Sequence, residues 1–157
     1  MHKPRLKNAA MIAPAAIEAL QAFTAAVDDF GLPTATVDLV HLRASQINGC
    51  SVCTDLHSRE AKNHGERDER LNTVAAWRDT PYFTDAERAA LALAEAATRI
   101  SDRADAVPDE IWNDAARHYD ERELTALVVH IAAINAWNRL SVTTRQLAGE
   151  WTARYAQ

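Results

Sequence analysis

The sequence predicts an all-α protein that folds as one compact helical domain over residues 1–157. It contains only 4 Gly and 5 Pro and is rich in Ala, Leu, Glu and Arg, which favour helix. No stretch alternates polar and apolar residues as a half-buried strand would. The length suits a single hydrophobic core, and no repeat, low-complexity tract or long linker divides the chain.

The first half of the chain is predicted to form four helices. Pro14 stands at the entry of the first helix and Gly31 just past its end, as helix boundaries favour. Apolar residues recur at helical spacing between them: Ile17, Leu20, Phe23, Val27 and Phe30. The next three helices are predicted over 37–48, 50–64 and 66–77, before a break at Asp79-Thr80-Pro81.

In the second half, capping signals mark the helix starts. Thr84 and Glu87 form a capping-box pattern, followed by a stripe expected to be buried: Ala90, Leu93, Ala97 and Ile100. A short helix is predicted from Pro108 to Trp112. Asp120 and Glu123 are predicted to cap the next helix, whose inward positions are Leu124, Leu127, Val128, Ile131 and Ile134. A last amphipathic helix is predicted over 142–155.

Composition excludes several classes of protein. Hydrophobic residues make up 48% and charged residues 25%, and the net charge is −5 with both signs interspersed. A nucleic-acid binder would more often carry a basic face, and no apolar run reaches the length of a membrane span. Without a signal-peptide pattern, we expect a cytoplasmic protein. Its Ala-rich stripes bury little area each, which favours a homo-oligomer.

The two cysteines, Cys50 and Cys53, are too few and too close to serve as a disulfide scaffold. In a reducing compartment, a C-x-x-C pair more often indicates redox chemistry or metal binding.

The pair shares one helix face with His57, because spacings of three and four residues bring side chains together. The break at Gly49 places both cysteines in the first turn of the new helix, where free N–H groups and the helix dipole favour a thiolate. His57 is then positioned to accept the thiol proton, directly or through a water.

A partner for His57 is expected on the preceding helix. Asp38 lies eleven residues before Gly49 and His57 eight after it, so in an antiparallel hairpin the two lie within a turn of the same level. Asp38 is therefore a candidate to orient the imidazole. Four other histidines are interpreted as structural or solvated, with His130 the most buried: His41, His64, His118 and His130.

Three ordered blocks together resemble a known family. They are 38–53 (DLVHLRASQINGCSVC) followed by His57, then 76–84 (AWRDTPYFT) leading into 87–91 (ERAAL), and 134–140 (INAWNRL). Over residues 37–147 the chain resembles the AhpD-like alkylhydroperoxidases of the carboxymuconolactone decarboxylase superfamily.

The resemblance implies roles for individual residues. Cys53 corresponds to the peroxide-attacking cysteine, Cys50 to the resolving one and His57 to the base, while Asp38 stands where the family usually has glutamate. Val52 fills a position that is a second histidine in some active members, so a simpler proton relay is expected. The resemblance also implies a small hydroperoxide substrate, a dithiol or protein reductant, frequent homo-oligomers and no cofactor or metal.

Other functions remain open from the residues. One is a general thiol-disulfide oxidoreductase. Another is a metal site using Cys50, Cys53 and His57 with His41 or His64, although zinc usually needs four well-placed ligands. Ring-lactone decarboxylation, by analogy with the superfamily, and a binding or assembly module with vestigial cysteines are further alternatives.

Overall fold

The computed structural model describes residues 3–6 and 13–149, and every regular element within them is helical. Seven α-helices follow one another: α1 (Pro14–Ala25), α2 (Thr34–Ile47), α3 (Ser51–Asn63), α4 (Asp68–Thr73), α5 (Asp85–Thr98), α6 (Asp109–Ala116) and α7 (Glu121–Thr144). Three short 3-10 turns lie at Asp28–Phe30, Val74–Asp79 and Ile100–Asp102. The predicted all-α fold is confirmed.

Helix α2 lies at the centre of the molecule and packs against α3, α5 and α7. Its Leu39 and Leu42 are each 1% exposed, and Leu91 of α5 and Leu127 of α7 are completely buried. Burial of these apolar side chains is the main stabilisation of the fold. As a result, the helix that leads into the turn before α3 is anchored in the core of the protein.

Both predicted capping boxes are confirmed. The Glu87 N–H donates to Thr84 Oγ1 at 3.2 Å, and the Thr84 N–H donates to the Glu87 carboxylate at 2.8 Å. Asp120 and Glu123 make the same reciprocal pair at the start of α7, with both distances 2.9 Å. Each box satisfies two backbone donors that the first helical turn leaves free.

Two residues predicted to face the core are exposed. Ile100 is 54% exposed because α5 ends before it and the following 3-10 turn carries its side chain away from the stripe. Val128 is 43% exposed, whereas its neighbour Leu127 is buried. Consecutive helical residues differ by about 100° in direction, so Val128 falls outside the face that Leu127 shares with Ile131.

Two predicted helices are each divided. The first ends at Ala25, and a 3-10 turn follows before Gly31, whose φ is 90°. The helix predicted over 66–77 becomes α4 and the turn Val74–Asp79. In that turn Val74 and Trp77 are both buried, as the three-residue period of a 3-10 helix allows.

The predicted break before residue 142 is wrong. No Gly or Pro interrupts Glu121–Thr144, and α7 continues for 24 residues until Arg145 adopts a left-handed backbone with φ 56°. The remainder of the helix predicted over 142–155 is not helical up to Gly149, and 150–155, with Trp151, lie outside the described residues. Neither α7 nor another helix in the described part of the chain is long and apolar enough to cross a membrane.

Candidate functional site

Cys50 and Cys53 form a disulfide at the start of α3. Gly49 adopts φ 65°, a conformation that glycine accepts without strain, and this turns the chain from α2 into α3. Cys50 is the N-cap of α3, and its Sγ accepts the Cys53 N–H at 3.3 Å. The prediction that the pair lies in the first turn of a helix is therefore confirmed.

Both sulfur-bearing residues are buried in apolar surroundings. Cys50 is 1% exposed and Cys53 5% exposed, and they pack with Ala44 of α2 and Ile134 of α7. Burial disfavours a charged thiolate, whereas the free N–H groups of the helix start favour it. A nearby base therefore has a large influence on thiol ionisation.

His57 follows Cys53 by one helical turn, and its partner is Glu60 rather than the predicted Asp38. His57 Nδ1 lies 2.8 Å from Glu60 Oε2 on the same helix. A carboxylate at this position holds the proton on Nδ1, which leaves Nε2 as the nitrogen that can accept another. Glu60 thus occupies the place beside His57 that the sequence predicted for Asp38.

Asp38 is buried and its Oδ2 lies 2.8 Å from His64 Nδ1. Burial raises the pKa of Asp38, the negative charge of Glu60 acts in the same direction, and the His64 hydrogen bond and charge oppose them. His57 also lowers the Asp38 pKa through its charge, so the two groups interact electrostatically without sharing a hydrogen bond.

The pairing error has a geometric cause. At about 1.5 Å per residue, Asp38 lies between the levels of His57 and His64 in the antiparallel α2–α3 pair. Helix phase then decides between the two histidines. The axial positions of these residues can be calculated from the sequence, whereas the relative rotation of the two helices cannot.

Two further histidines extend the site across three helices. The His41 ring of α2 lies 4.8 Å from the His57 ring of α3 and 5.2 Å from the His130 ring of α7, between centroids. Burial lowers the pKa of His41 well below its usual range, and the charges of the other two lower it further. Burial also lowers the pKa of His130, whose predicted burial is confirmed at 8% exposure.

A buried amide network ties the α2–α3 turn to α7. Asn48 Nδ2 donates to Asn135 Oδ1 at 2.9 Å and to Asn138 Oδ1 at 2.8 Å. Asn138 Nδ2 in turn donates to Ser45 Oγ at 3.1 Å, and the Ser45 carbonyl accepts the Cys50 N–H at 3.0 Å. The two asparagines of the block 134–140 therefore stabilise the backbone that carries the first cysteine.

A second buried polar group supports α2 from its other side. Glu95 of α5 accepts hydrogen bonds from Arg43, Arg78 and the Trp77 indole at 2.7, 2.7 and 3.1 Å. Burial alone would raise its pKa, but these donors hold the pKa of Glu95 below its usual value. This cluster lies on the opposite face of α2 from His41, and we interpret it as structural.

A cleft of about 160 Å³ opens beside the disulfide. Gly49, Cys50 and Ser51 form one wall, and the end of α7 with the residues after it forms the other: Ser141, Val142, Arg145, Gln146 and Leu147. Among the described residues, no group of three or more His, Cys, Asp or Glu side chains is arranged to hold a metal ion.

Comparison with known proteins gives matches in both sequence and structure. The model of the carboxymuconolactone decarboxylase family matches residues 14–96. The uncharacterized protein YdfG of Bacillus subtilis (strain 168) is 39% identical over 107 residues, which are 68% of this chain and 71% of YdfG.

Two solved structures share the fold. A protein of unknown function from Agrobacterium tumefaciens, suggested to be the antioxidant defence protein AhpD, is 35% identical with a TM-score of 0.86 over 93% of this chain and 98% of its own. The debrominase Bmp8 is 22% identical with a TM-score of 0.77 over 90% of this chain and 75% of its own. At that identity the second likeness concerns the fold alone.

Proposed function

This chain belongs to the carboxymuconolactone decarboxylase family, and we propose that it is a thiol-dependent peroxidase that reduces hydroperoxides with the Cys50–Cys53 pair. The observation that carries the proposal is the disulfide at a helix N-terminus with an imidazole one turn away. The suggested antioxidant role of the Agrobacterium tumefaciens protein supports it.

In the first step, Cys53 attacks the peroxide. His57 takes the thiol proton at Nε2, directly or through a water, and the helix N-terminus stabilises the resulting thiolate. The thiolate sulfur then bonds to the distal oxygen of the hydroperoxide while the O–O bond breaks. The alcohol oxygen leaves with the proton returned by His57, and Cys53 becomes a sulfenic acid.

In the second step, Cys50 resolves the sulfenic acid. Its sulfur bonds to the Cys53 sulfur, the S–O bond breaks, and the hydroxyl leaves as water with the Cys50 thiol proton. The product is the disulfide that this structure contains. The N-cap geometry favours the step, because in the disulfide form it places Cys50 Sγ 3.3 Å from the Cys53 backbone nitrogen.

An external dithiol closes the cycle. Its thiolate attacks the disulfide, a second thiol displaces the mixed disulfide, and the donor leaves oxidised while both cysteines regain protons. The burial of both sulfurs favours a small donor or a narrow protein segment, and the cleft beside Cys50 is large enough for a short thiol chain. A reducing cytoplasm would supply such donors. We also propose that the protein forms a homo-oligomer.

Asp38 and Glu60 assist His57 differently. Glu60 fixes the tautomer through the hydrogen bond to Nδ1. We assign Asp38 a positioning role, in which its carboxylate holds His64 and interacts with His57 through space.

A general thiol-disulfide oxidoreductase is the second candidate. Val52 is the observation that favours it, since an apolar side chain between the cysteines cannot pass a proton to a peroxide oxygen. The two activities can be distinguished by treating separate samples of the reduced protein with an organic hydroperoxide and with a small disulfide, and comparing the rates of oxidation. Faster oxidation by the small disulfide favours the exchange enzyme.

Intact-mass spectrometry tests the peroxidase directly. Reduced wild type treated with one equivalent of an organic hydroperoxide should lose two hydrogens, whereas Cys53→Ser should keep its mass. Cys50→Ser should instead gain one oxygen, trapped as the sulfenic acid. If wild type is unchanged by peroxide and by small disulfides alike, the redox proposal is wrong and a binding or assembly role is favoured.

A further inference from the structure

The imidazole row of His41, His57 and His130 lies one helical turn below the disulfide. His57 follows Cys53 by four residues, and His130 precedes Ile134, a member of the same apolar cluster as Cys53, by the same interval. His41 occupies the middle of the row, with centroid separations of 4.8 Å to His57 and 5.2 Å to His130. Neither His41 nor His130 has a part in the cycle proposed above.

The hydrogen bonding of this row is incomplete. Nε2 of His41 and Nδ1 of His130 are buried and have no hydrogen-bond partner in the described part of the chain. Buried polar atoms are almost always paired, so each unpaired one requires an explanation. The redox state explains the unpaired nitrogen of His41. The disulfide in this structure carries no thiol proton, and reduction adds that proton to the site beside His57.

We propose that His41 is a positioning residue, whose neutral imidazole accepts at Nε2 the hydrogen bond of a water that carries the proton between the Cys53 thiol and His57. This inference rests on the proposed function in taking His57 as the base. The water would accept from His57 and donate to His41 and to the sulfur, which gives it the three partners that a buried water typically has. The ring separation of 4.8 Å suits nitrogens joined through a water.

The charges around His41 keep it in the acceptor form. From α3 it faces His57, with Glu60 behind that ring, and from α7 it faces His130. Asp38, on its own helix, is paired with His64. A second proton on His41 would be buried beside two imidazoles, which is why its pKa is depressed.

The remaining neighbours of α2 are α5 and the turn Val74–Asp79, and neither supplies a charge that acts on His41. On α5 the carboxylate of Glu95 is engaged by Arg43 and Arg78 on the opposite face of the central helix. His41 is therefore neutral whenever His57 accepts a proton, and it stabilises the thiolate–imidazolium pair without competing for the charge.

Alkylation of Cys53 across pH tests the role in the absence of peroxide. The reduced full-length protein is treated with iodoacetamide between about pH 4 and pH 10, and the Cys53 peptide is quantified by mass spectrometry. His41→Leu should raise the apparent pKa of the Cys53 thiol by about one unit, because a hydrogen bond that favours the charged pair is lost. Below the pKa, alkylation should slow about tenfold, and at high pH the rates should converge.

Two variants distinguish positioning from packing. His41→Gln, whose amide oxygen accepts a hydrogen bond, should restore most of the wild-type profile. His130→Leu removes the outer imidazole of the same row and should leave the profile unchanged. An unshifted profile in His41→Leu, or equal shifts in His41→Leu and His130→Leu, would overturn the inference.

Nitrogen NMR of the wild type covers the case in which His41→Leu does not fold. Nε2 of His41 should carry no proton in either redox state and should show a new hydrogen bond on reduction. A proton on that nitrogen in the reduced protein contradicts the proposal. If the pKa shift is observed but peroxide does not oxidise Cys53, the peroxidase proposal fails and the role of His41 stands.

Discussion

Replacing Asn138 with alanine is expected to lower the free energy of unfolding by about 2–3 kcal/mol. The side chain is completely buried, and it accepts from Asn48 and donates to Ser45. Each of the two hydrogen bonds contributes about 0.5–1.5 kcal/mol, and the cavity left by the truncation adds to the loss. Typical domains are stable by about 5–15 kcal/mol, so the variant should still fold.

Asn138→Leu separates the two contributions, since leucine fills a similar volume but makes neither hydrogen bond. Urea unfolding of wild type and both variants, in reduced and oxidised forms, gives the free energies. We expect a loss of about 2 kcal/mol for the leucine variant, because it leaves the half-buried Asn48 and the buried Ser45 with fewer partners. A loss below about 1 kcal/mol in both variants would refute the assignment of the network as a stabilising device.

The same variants report on the chemistry. Asn138 acts on Cys50 through Ser45, whose carbonyl accepts the Cys50 N–H. A looser turn should slow closure of the disulfide from the Cys53 sulfenic acid, measured by stopped-flow mixing with peroxide. If stability falls but the closure rate is unchanged, the network supports the fold without positioning Cys50.

Three other substitutions test further features of the structure. Because folding lowers the pKa values of His41 and His130, the unfolded chain binds more protons than the folded one below about pH 6.5. The free energy of unfolding, measured with urea, should therefore decrease as the pH falls through that region. Replacing both histidines with leucine should make this decrease smaller. Arg145→Gly should raise the unfolding free energy by about 1 kcal/mol by removing a side chain from a left-handed conformation, whereas Arg145→Ala should not. Glu60→Gln should slow Cys53 alkylation at neutral pH by only about two- to fivefold. Glu60 is 41% exposed, so water screens its interaction with His57. A decrease of more than about tenfold would contradict a screened interaction.

Sequence patterns predicted what depends on neighbours within one helix. The Cys50–Cys53–His57 face follows from spacing alone, and so do the capping boxes that begin α5 and α7. Short-range signals also placed the break at Gly49, because few residues other than glycine adopt a positive φ there.

Contacts between residues of different helices could not be predicted from those patterns. Asp38 was assigned to the wrong histidine because its level fits both His57 and His64 and only the rotation of α2 decides between them. Glu60 was missed although it stands three residues after His57, a spacing at which helical side chains meet; that signal was available. The His41–His130 contact joins helices far apart in sequence, and no local pattern indicates it.

The difference between contacts within one helix and contacts between helices has a chemical consequence. The two sulfurs and the proposed base, His57, belong to one helix, so the short motif is sufficient to bring them together. A group proposed to set how readily Cys53 loses its proton comes from another helix, namely His41 on α2. A protein with the same motif but with an apolar residue at position 41 should therefore form the same disulfide with a higher thiol pKa. Replacing His41 with leucine here should keep disulfide formation at high pH and slow it near neutrality, and a rate near neutrality equal to that of the wild type would show that α3 alone determines the reactivity.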